Sequence, residues 1–260
     1  MKILRSLEEY REFRRQLRGS IGFVPTMGQL HAGHVALLQQ ARRDSEVVVL
    51  SIFVNPTQFN DPNDLANYPR DFENDQRLAL EAGVDAIWCP EVSTLYPDDY
   101  RYQIQEKELS TVLEGVSRPG HFTGMLTVVM KLLQCAQATR AYFGEKDYQQ
   151  LKLVQGMVEA FFLETEIIPA PIVRDEHGLA LSSRHKRMSS EELEIAREFS
   201  RIFLSATDPK TCQAALTARG ITVEYNEILH DRWLIAVNIG ATRLIDNKSF
   251  RHTIEKPVLY

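Results

Sequence analysis

Two histidines three residues apart, His31 and His34, are the residues of this chain whose types and spacing most directly suggest chemistry. They follow an apolar run over residues 21–24 and a Pro-Thr-Met-Gly loop, and they open a segment with apolar residues at helical spacing. The pattern predicts a strand, a loop and a helix start. A helix N-terminus attracts anions, and imidazoles there can donate hydrogen bonds to phosphoryl oxygens. The segment therefore predicts a phosphate site.

Two other interpretations of the histidine pair stay open at this point. Histidines three apart can share one helix face and bind zinc, although no Cys, His or acidic residue stands nearby in the sequence as a third ligand. The pair could also be two ordinary surface histidines.

Other polar residues follow further predicted strands or open predicted helices. Gln58 comes after the apolar run of residues 47–54, and Lys146 follows a short apolar strand, with Gln150 four residues later. Residues 115–124 bring an arginine, a histidine and three glycines to another helix start. A solvated helix start at Lys146 and a plain glycine hinge at 115–124 are the structural alternatives.

The elements around these residues indicate an α/β fold. Residues 47–54 are nearly all apolar and rich in β-branched types, which is typical of a parallel strand buried on both faces. Helices are predicted over residues 7–17, 72–82 and 125–137, with others ending near 162 and 204, and a weaker strand pattern covers 101–106. Alternating strands late in the chain predict a small α+β domain, so we expect domains over residues 1–185 and 186–260.

Composition limits the function classes. The chain has 260 residues, of which 44% are hydrophobic and 25% charged, as in folded globular proteins. A net charge of −5 disfavours a broad nucleic-acid surface and favours a small substrate. Three separated cysteines without a Cys-x-x-Cys motif predict free thiols and a cytoplasmic protein. We see no signal-like or membrane-spanning apolar segment and expect no membrane partner.

Taken together, the motifs resemble the pantoate–β-alanine ligase family, within the His-x-Gly-His class that includes adenylyltransferases and class I aminoacyl-tRNA synthetases. The resemblance covers nearly the whole chain and rests on seven segments in family order. These are Pro25-Thr26-Met27-Gly28 with His31 and His34; Phe53-Val54-Asn55-Pro56 with Gln58-Phe59; Tyr68-Pro69-Arg70; Arg118-Pro119 with His121-Phe122; residues 143–150; Ser182-Ser183-Arg184; and residues 242–247.

The resemblance implies a Rossmann-like parallel sheet with helices on both faces, followed by a small C-terminal α+β lid domain. It also implies ATP-dependent ligation of pantoate and β-alanine to pantothenate through pantoyl adenylate, with release of AMP and pyrophosphate, as a step of coenzyme A biosynthesis. The implied co-substrate is ATP with Mg²⁺, and the implied assembly is a homodimer.

The resemblance also assigns residues to these roles. Catalytic roles at the ATP phosphates fall to His31, His34, Lys146, Ser182 and Arg184. Further ATP contacts fall to Pro25, Thr26, Met27, Gly28, Gly144, Glu145, Asp147, Val173, Leu181 and Ser183. Pantoate would be held by the amides of Gln58 and Gln150 and by an apolar wall of Pro25, Met27 and Phe53, while Asp75 stands where the family has an acidic residue near the metal.

This chain departs from the family pattern at three positions, where Ala32, Asn74 and His185 replace the usual Glu, acidic residue and Asn. The C-terminal domain is also shorter than usual around residues 225–232. Two other functions stay open from the sequence. One is a nucleotidyltransferase of the same class that joins a nucleotide to a phosphorylated acceptor, and the other is a non-catalytic RNA-binding relative, which the acidic composition disfavours.

Overall fold

The computed structural model describes residues 1–60 and 62–250. They form two compact units, the first through Val173 and the second from Arg174 onward. Each unit has its own sheet and its own apolar core.

The first unit is built on a six-stranded parallel sheet in the order β1-β4-β3-β2-β5-β6. Its strands are β1 (Lys2–Leu4), β2 (Ile21–Thr26), β3 (Val47–Ile52), β4 (Ala86–Trp88), β5 (Arg140–Gly144) and β6 (Glu166–Ala170). Its helices are α1 (Leu7–Gln16), α2 (Ala32–Asp44), α3 (Pro62–Ala66), α4 (Phe72–Glu81), α5 (Val92–Leu95), α6 (Glu114–Ser117), α7 (His121–Ala136) and α8 (Tyr148–Ala160). Short 3₁₀ turns lie at Pro56–Gln58, Leu109–Thr111 and Glu145–Asp147.

Helices cover both faces of this sheet. One core contains side chains of α1, α7 and α8, and the other contains side chains of α2 and α4. Strands between two helical layers must be apolar on both faces, which explains the unbroken apolar run of β3. The predicted α/β class is confirmed. A capping box begins α1, because Ser6 Oγ accepts a hydrogen bond from the Glu9 amide while the Glu9 carboxylate accepts from the Ser6 amide.

The strand order creates a switch point between β2 and β5. The chain moves from β2 to β3 and β4 on one side, and then returns to place β5 on the other side of β2. In open α/β sheets ligands bind at such a point, beyond the carboxyl ends of the strands. The loops that follow β2 and β5 lead to His31, His34 and Lys146, so the topology places these three predicted phosphate residues at this edge of the sheet.

The second unit packs two helices on a three-stranded antiparallel sheet in the order β7-β8-β9, as predicted for an α+β domain. Its elements are α9 (Ser190–Ser205), α10 (Pro209–Ala218), β7 (Thr222–Leu229), β8 (Arg232–Ile239) and β9 (Thr242–Ser249), with a 3₁₀ turn at Ser183–Arg187. Phe199, Phe203 and Trp233 are fully buried in its core.

The division between the units lies after Val173, whereas the sequence analysis placed it after residue 185. Residues just beyond the division bond within the second unit. Arg174 forms two hydrogen bonds of 2.6 and 2.8 Å with the carboxylate of Asp246, and the Gly178 carbonyl accepts a 2.8 Å bond from Ser200. These contacts link residues far apart in sequence, so local patterns could not locate the division.

Two other details differ from the sequence analysis. Residues 101–106 form no strand, and the Ile104 amide donates instead to Thr127 Oγ1 on α7, at 3.0 Å. Helix α10 was not predicted, although Asp208 as the N-cap and Pro209 in the first turn are ordinary helix-start signals. Among the described helices, none combines the length and the apolar character that a membrane span requires.

Candidate active site

The two signature histidines form the N-terminal cap of α2. His31 is the N-cap residue, and its Nδ1 accepts a hydrogen bond from the Gly33 amide at 3.1 Å. His34 Nδ1 accepts from the His31 amide at 3.3 Å, and the ring centroids lie 4.1 Å apart. A Cβ atom at position 33 would lie 2.8 Å from His31 Cε1, so any larger residue would displace the His31 ring from its capping position. The glycine of the motif therefore has a steric reason.

This reciprocal cap determines the tautomer that each ring adopts when it is neutral. Because each Nδ1 accepts a backbone N–H, each neutral imidazole carries its proton on Nε2. Burial, reinforced by the nearby His31 and Lys146, lowers the pKa of His34 to about 3. His34 is therefore a neutral ring at physiological pH and can donate a hydrogen bond from Nε2.

Lys146 supplies positive charge that acts on His34. It lies in the 3₁₀ turn Glu145–Asp147, directly after Gly144 ends β5, and its charge contributes to the lowered pKa of His34. The structure thus brings Lys146 to the histidine cap from the neighbouring strand. An ammonium group and two imidazoles at a helix N-terminus are suited to bind a polyphosphate.

The loop between β2 and α2 is held by side chains on both sides. Thr26 Oγ1 donates to the Ser51 carbonyl at 2.9 Å and accepts from the Gly28 amide at 3.2 Å. Asp75 on α4 accepts from the two amides that follow, Gln29 at 3.0 Å and Leu30 at 2.7 Å. The loop therefore has a defined backbone before any ligand binds.

Gln58 lies in the turn after β3 and is oriented by Asn55. Asn55 Nδ2 donates to Gln58 Oε1 at 2.9 Å and to the Gly124 carbonyl at 3.1 Å, while its Oδ1 accepts from Tyr96 at 2.8 Å and Thr57 at 3.0 Å. Because Gln58 Oε1 accepts this bond, the amide orientation is defined and Nε2 is its donor end. Asn55 belongs to one of the seven segments that carry the family resemblance, but no local signal in the sequence indicated this role.

A second group of side chains holds the backbone of Gln58. Its carbonyl accepts from His121 Nδ1 at 3.0 Å and Arg118 Nη2 at 3.2 Å. The other ring nitrogen, His121 Nε2, lies 3.0 Å from Arg118 Nη1. Burial, and secondly the Arg118 charge, lowers the pKa of His121 to about 4, so this ring is neutral and accepts at Nε2.

The two adjacent glutamines at the start of α8 have different surroundings. Gln149 is buried, with Oε1 accepting from the Glu114 amide at 3.1 Å and Nε2 donating to the Leu109 and Val112 carbonyls at 2.6 and 2.8 Å. Gln150, the predicted pantoate ligand, is only partly buried. Gln149 is thus a structural residue that the sequence analysis missed.

The remaining predicted residues of the first unit lie around the same strand ends. Phe53 is buried with its ring centroid 6.3 Å from that of Tyr96, and Pro25 and Met27 are partly buried. Asp147 is exposed, and Val173 is partly buried at the end of the unit.

The second unit carries the remaining predicted phosphate residues, Leu181, Ser182, Ser183 and Arg184. Ser182 caps its 3₁₀ turn by accepting from the Arg184 amide at 3.3 Å. Arg184 Nη1 donates to the Arg243 carbonyl at 3.1 Å. Within their unit, one turn thus carries the hydroxyls of Ser182 and Ser183 and the guanidinium of Arg184.

This chain is similar to known proteins over nearly its whole length. The family model described as pantoate-beta-alanine ligase matches residues 2–249. A pantothenate synthetase of Bdellovibrio bacteriovorus is 51% identical over 249 residues, which are 95% of this chain and 98% of that protein. A pantothenate synthetase of Legionella pneumophila is 49% identical and covers 95% of this chain and 99% of its own.

Solved structures give the same result. The crystal structure of pantoate-beta-alanine ligase from Francisella tularensis, complexed with beta-gamma ATP and beta-alanine, superposes with a TM-score of 0.92 at 41% identity, over 96% of this chain and 97% of that one. Pantothenate synthetase from Thermus thermophilus has a TM-score of 0.90 at 38% identity, over 96% of this chain and all of its own. This chain therefore belongs to the pantoate–β-alanine ligase family, and the family and ligase activity predicted from its sequence are confirmed.

Proposed function

We propose that this chain joins pantoate to β-alanine with ATP at the carboxyl edge of its parallel sheet, next to the N-terminus of α2. The observation that carries this assignment is the convergence of Lys146 with the two capped histidines. The group combines one positive charge with imidazole N–H donors. Such a group suits a triphosphate whose negative charge shifts toward the leaving pyrophosphate during reaction.

In the first step a pantoate carboxylate oxygen attacks the α-phosphorus of ATP, and the bond to the bridging oxygen of pyrophosphate breaks. A carboxylate is already ionised at neutral pH, so the step requires no general base. The protein must align the reactants and stabilise the charge that develops on the phosphate oxygens. Lys146 would supply the charge, and His31 and His34 would donate from Nε2.

In the second step the amine of β-alanine attacks the carbonyl carbon of pantoyl adenylate. The carbon–oxygen bond to AMP breaks, the amine nitrogen loses a proton, and pantothenate and AMP result. AMP leaves as a phosphate anion, so the donors that stabilise the first transition state also favour this departure.

Pantoate is assigned to the pocket beside the turn after β3. Gln58, oriented by Asn55, would donate from Nε2, and Gln150 would add a second amide. Pro25, Met27 and Phe53 would form the apolar wall that contacts the two methyl groups. Hydroxyl groups require both donors and acceptors, which primary amides supply.

Further ATP contacts follow from the family resemblance and are part of this proposal. In the first unit they are Thr26, Gly28, Gly144, Glu145, Asp147 and Val173. In the second unit they are Leu181, Ser182, Ser183 and Arg184, on a domain proposed to act as a lid.

Mg²⁺ is proposed to accompany ATP, where it would neutralise phosphate charge. Magnesium commonly keeps several waters and binds through substrate phosphates with few protein ligands. Both oxygens of Asp75 already accept backbone N–H groups, and the described residues include no group of three or more His, Cys, Asp or Glu suited to hold a metal. These contacts support phosphate oxygens and water as the ligands of Mg²⁺. They do not support a metal site formed mainly by protein ligands around Asp75.

Two further assignments remain proposals. A homodimer follows from the family resemblance, and sedimentation velocity would test it. A cytoplasmic location is consistent with the free state of Cys89, Cys135 and Cys212.

The direct test of the reaction is product analysis with purified protein, ATP and Mg²⁺. We expect pyrophosphate release to require pantoate, and free AMP with pantothenate to appear in quantity only when β-alanine is also supplied. A stable dinucleotide product with a phosphorylated acceptor would reject the ligase and indicate a nucleotidyltransferase.

The pantoate assignment is tested by Gln58→Ala. We expect the KM for pantoate to rise about tenfold or more, as for a lost hydrogen bond to a charged or polar ligand, while the KM for ATP stays within twofold. Gln134→Ala, on the exposed side of α7, is the matched control. Equal losses for both substrates would contradict the assignment.

A further inference from the structure

Asp75 contacts the histidine loop in a way that the family assignment does not explain. It lies on α4 with only 2% of its surface exposed. Its Oδ1 accepts from the Leu30 amide at 2.7 Å, and its Oδ2 accepts from the Gln29 amide at 3.0 Å. One carboxylate therefore binds two consecutive N–H groups of the loop that leads into α2.

The backbone of this loop explains why an anion is required there. Gly28 and Gln29 both have left-handed conformations, with φ of +80° and +54°. Gln29 is not a glycine, so this conformation costs about 1 kcal/mol or more and must be stabilised by its surroundings. Successive amides turned to one side form a concave anion site, and the Asp75 carboxylate occupies it.

The fit leaves no room for a larger residue at position 28. A Cβ atom on Gly28 would lie 2.9 Å from Asp75 Oδ2 and 3.2 Å from Ile52 Cγ2. The carboxylate, the glycine and the two amides therefore form one packed arrangement.

The next residue in the chain connects this arrangement to the reaction. His31 follows Leu30 directly, and its own amide bonds to His34 Nδ1. The position of the Leu30 amide thus sets where the histidine cap begins and where both Nε2 donors point. A displacement of about 1 Å in groups that align phosphates can reduce a rate by about a hundredfold.

We propose that Asp75 is a positioning residue of the histidine loop, which it holds through the Gln29 and Leu30 amides, and that it is not the ligand of the magnesium ion. Its effect on catalysis rests on the proposed function, but its effect on the loop does not. The two can therefore be measured separately.

The first experiment compares Asp75→Asn and Asp75→Glu with Glu73→Gln, an exposed acidic residue on the same helix. Asparagine replaces one carboxylate oxygen with an NH₂ group, which cannot accept from the Gln29 or Leu30 amide. Glutamate keeps the negative charge but has a longer side chain. Hydrogen exchange of residues 28–31 without nucleotide should accelerate about tenfold in both Asp75 variants, the factor for one lost hydrogen bond. It should not change in Glu73→Gln, and unaltered exchange in both Asp75 variants would overturn the proposal.

Kinetic measurements then distinguish a positioning role of Asp75 from a metal-binding role. Both Asp75 variants should lose about a hundredfold in turnover, while the Mg²⁺ concentration for half-maximal rate stays within twofold. A raised Mg²⁺ requirement, with activity restored at high Mg²⁺, would identify Asp75 as a metal ligand and reject the proposal.

A measurement on the unmodified chain tests the metal-binding half of the proposal even where a variant fails to fold. Mn²⁺ is added without nucleotide, and paramagnetic broadening of the Gln29 and Leu30 amide signals is recorded by NMR. We expect no selective broadening of these two signals. Selective broadening would place the metal on the carboxylate and overturn the proposal.

Discussion

Two histidine sites in the first unit, each at the start of a helix, show how the same side chain serves different purposes. His34 at α2 and His121 at α7 are both neutral, with pKa values lowered to about 3 and about 4 mainly by burial. His34 uses Nδ1 to accept the His31 amide, and its Nε2 carries the proton. His121 uses both nitrogens within the protein, one on the Gln58 carbonyl and one on Arg118.

The difference lies in the hydrogen-bond partners and not in the charge of the rings. The cap at α2 fixes a donor that can reach a ligand, whereas the group at α7 fixes the backbone of a residue that contacts one. We therefore expect the α2 site to control the chemical step and the α7 site to control pantoate binding. Variants at the two sites test whether the α2 site controls the chemical step and the α7 site controls pantoate binding.

Lys146→Ala should lower the rate of adenylate formation by about a hundredfold or more, because one charge-stabilising contact contributes about 3 kcal/mol in the transition state. Pyrophosphate release in single-turnover experiments measures this step. Lys107→Ala, at an exposed loop position, is the control and should leave the rate unaltered. A normal rate for Lys146→Ala would show that Lys146 does not stabilise the transition state of adenylate formation.

His34→Ala and His121→Ala should affect different constants. The first should lower kcat about thirtyfold, equivalent to about 2 kcal/mol for a hydrogen bond to a charged group, with little change in the KM for pantoate. The second should mainly raise the KM for pantoate, because the Gln58 carbonyl loses one of its two donors and keeps only Arg118. If the two variants gave the same pattern, the proposed division between the sites would be wrong.

Gly124→Ala should disturb the turn that carries Gln58 through packing alone. A Cβ atom there would lie 2.4 Å from the Thr57 carbonyl oxygen, so the turn after β3 must move. We expect a loss of about 2 kcal/mol in unfolding free energy, as for an overpacked core, and a raised KM for pantoate.

The matched control for this change is Gly156→Ala in α8, where an added Cβ atom meets nothing within 4 Å. It should stabilise the protein by about 0.5–1 kcal/mol through helix propensity. Chemical denaturation measures both variants. A stable Gly124→Ala protein with normal pantoate binding would show that this close approach is unimportant.

The smallest expected effect is on the pH dependence of stability. The folded pKa of His121, about 4, lies below its unfolded value of about 6.5, so only the unfolded state gains a proton between these values. The contribution of His121 is thus fully present above pH 6.5 and is lost as the pH falls toward 4.

Between pH 7 and 5.5 we expect this residue alone to remove about 1 kcal/mol of unfolding free energy. His121→Asn should flatten the profile by that amount, as measured by denaturant titration at several pH values. An unaltered slope in the variant would contradict the lowered pKa.

The parts of the site that could be predicted from sequence are those encoded locally. The strand, loop and helix around His31 and His34 follow from apolar periodicity and glycine placement, and Lys146 follows its strand directly. The family resemblance added the substrate and the reaction.

The parts that could not be predicted depend on residues distant in the chain. Asn55 acquires its role from Tyr96 and Gly124, and Asp75 acquires its role from a loop 45 residues earlier. Gln149 and Gln150 are identical in type and adjacent, and only the packing of residues 109–114 separates a structural amide from a candidate ligand. No local pattern carries that information.

The most direct test of the central claim is a crystal structure of this chain with a non-hydrolysable ATP analogue. We expect phosphate oxygens within hydrogen-bond distance of His34 Nε2 and Lys146 Nζ, at the N-terminus of α2. A triphosphate bound elsewhere, remote from the histidine cap and Lys146, would contradict the account.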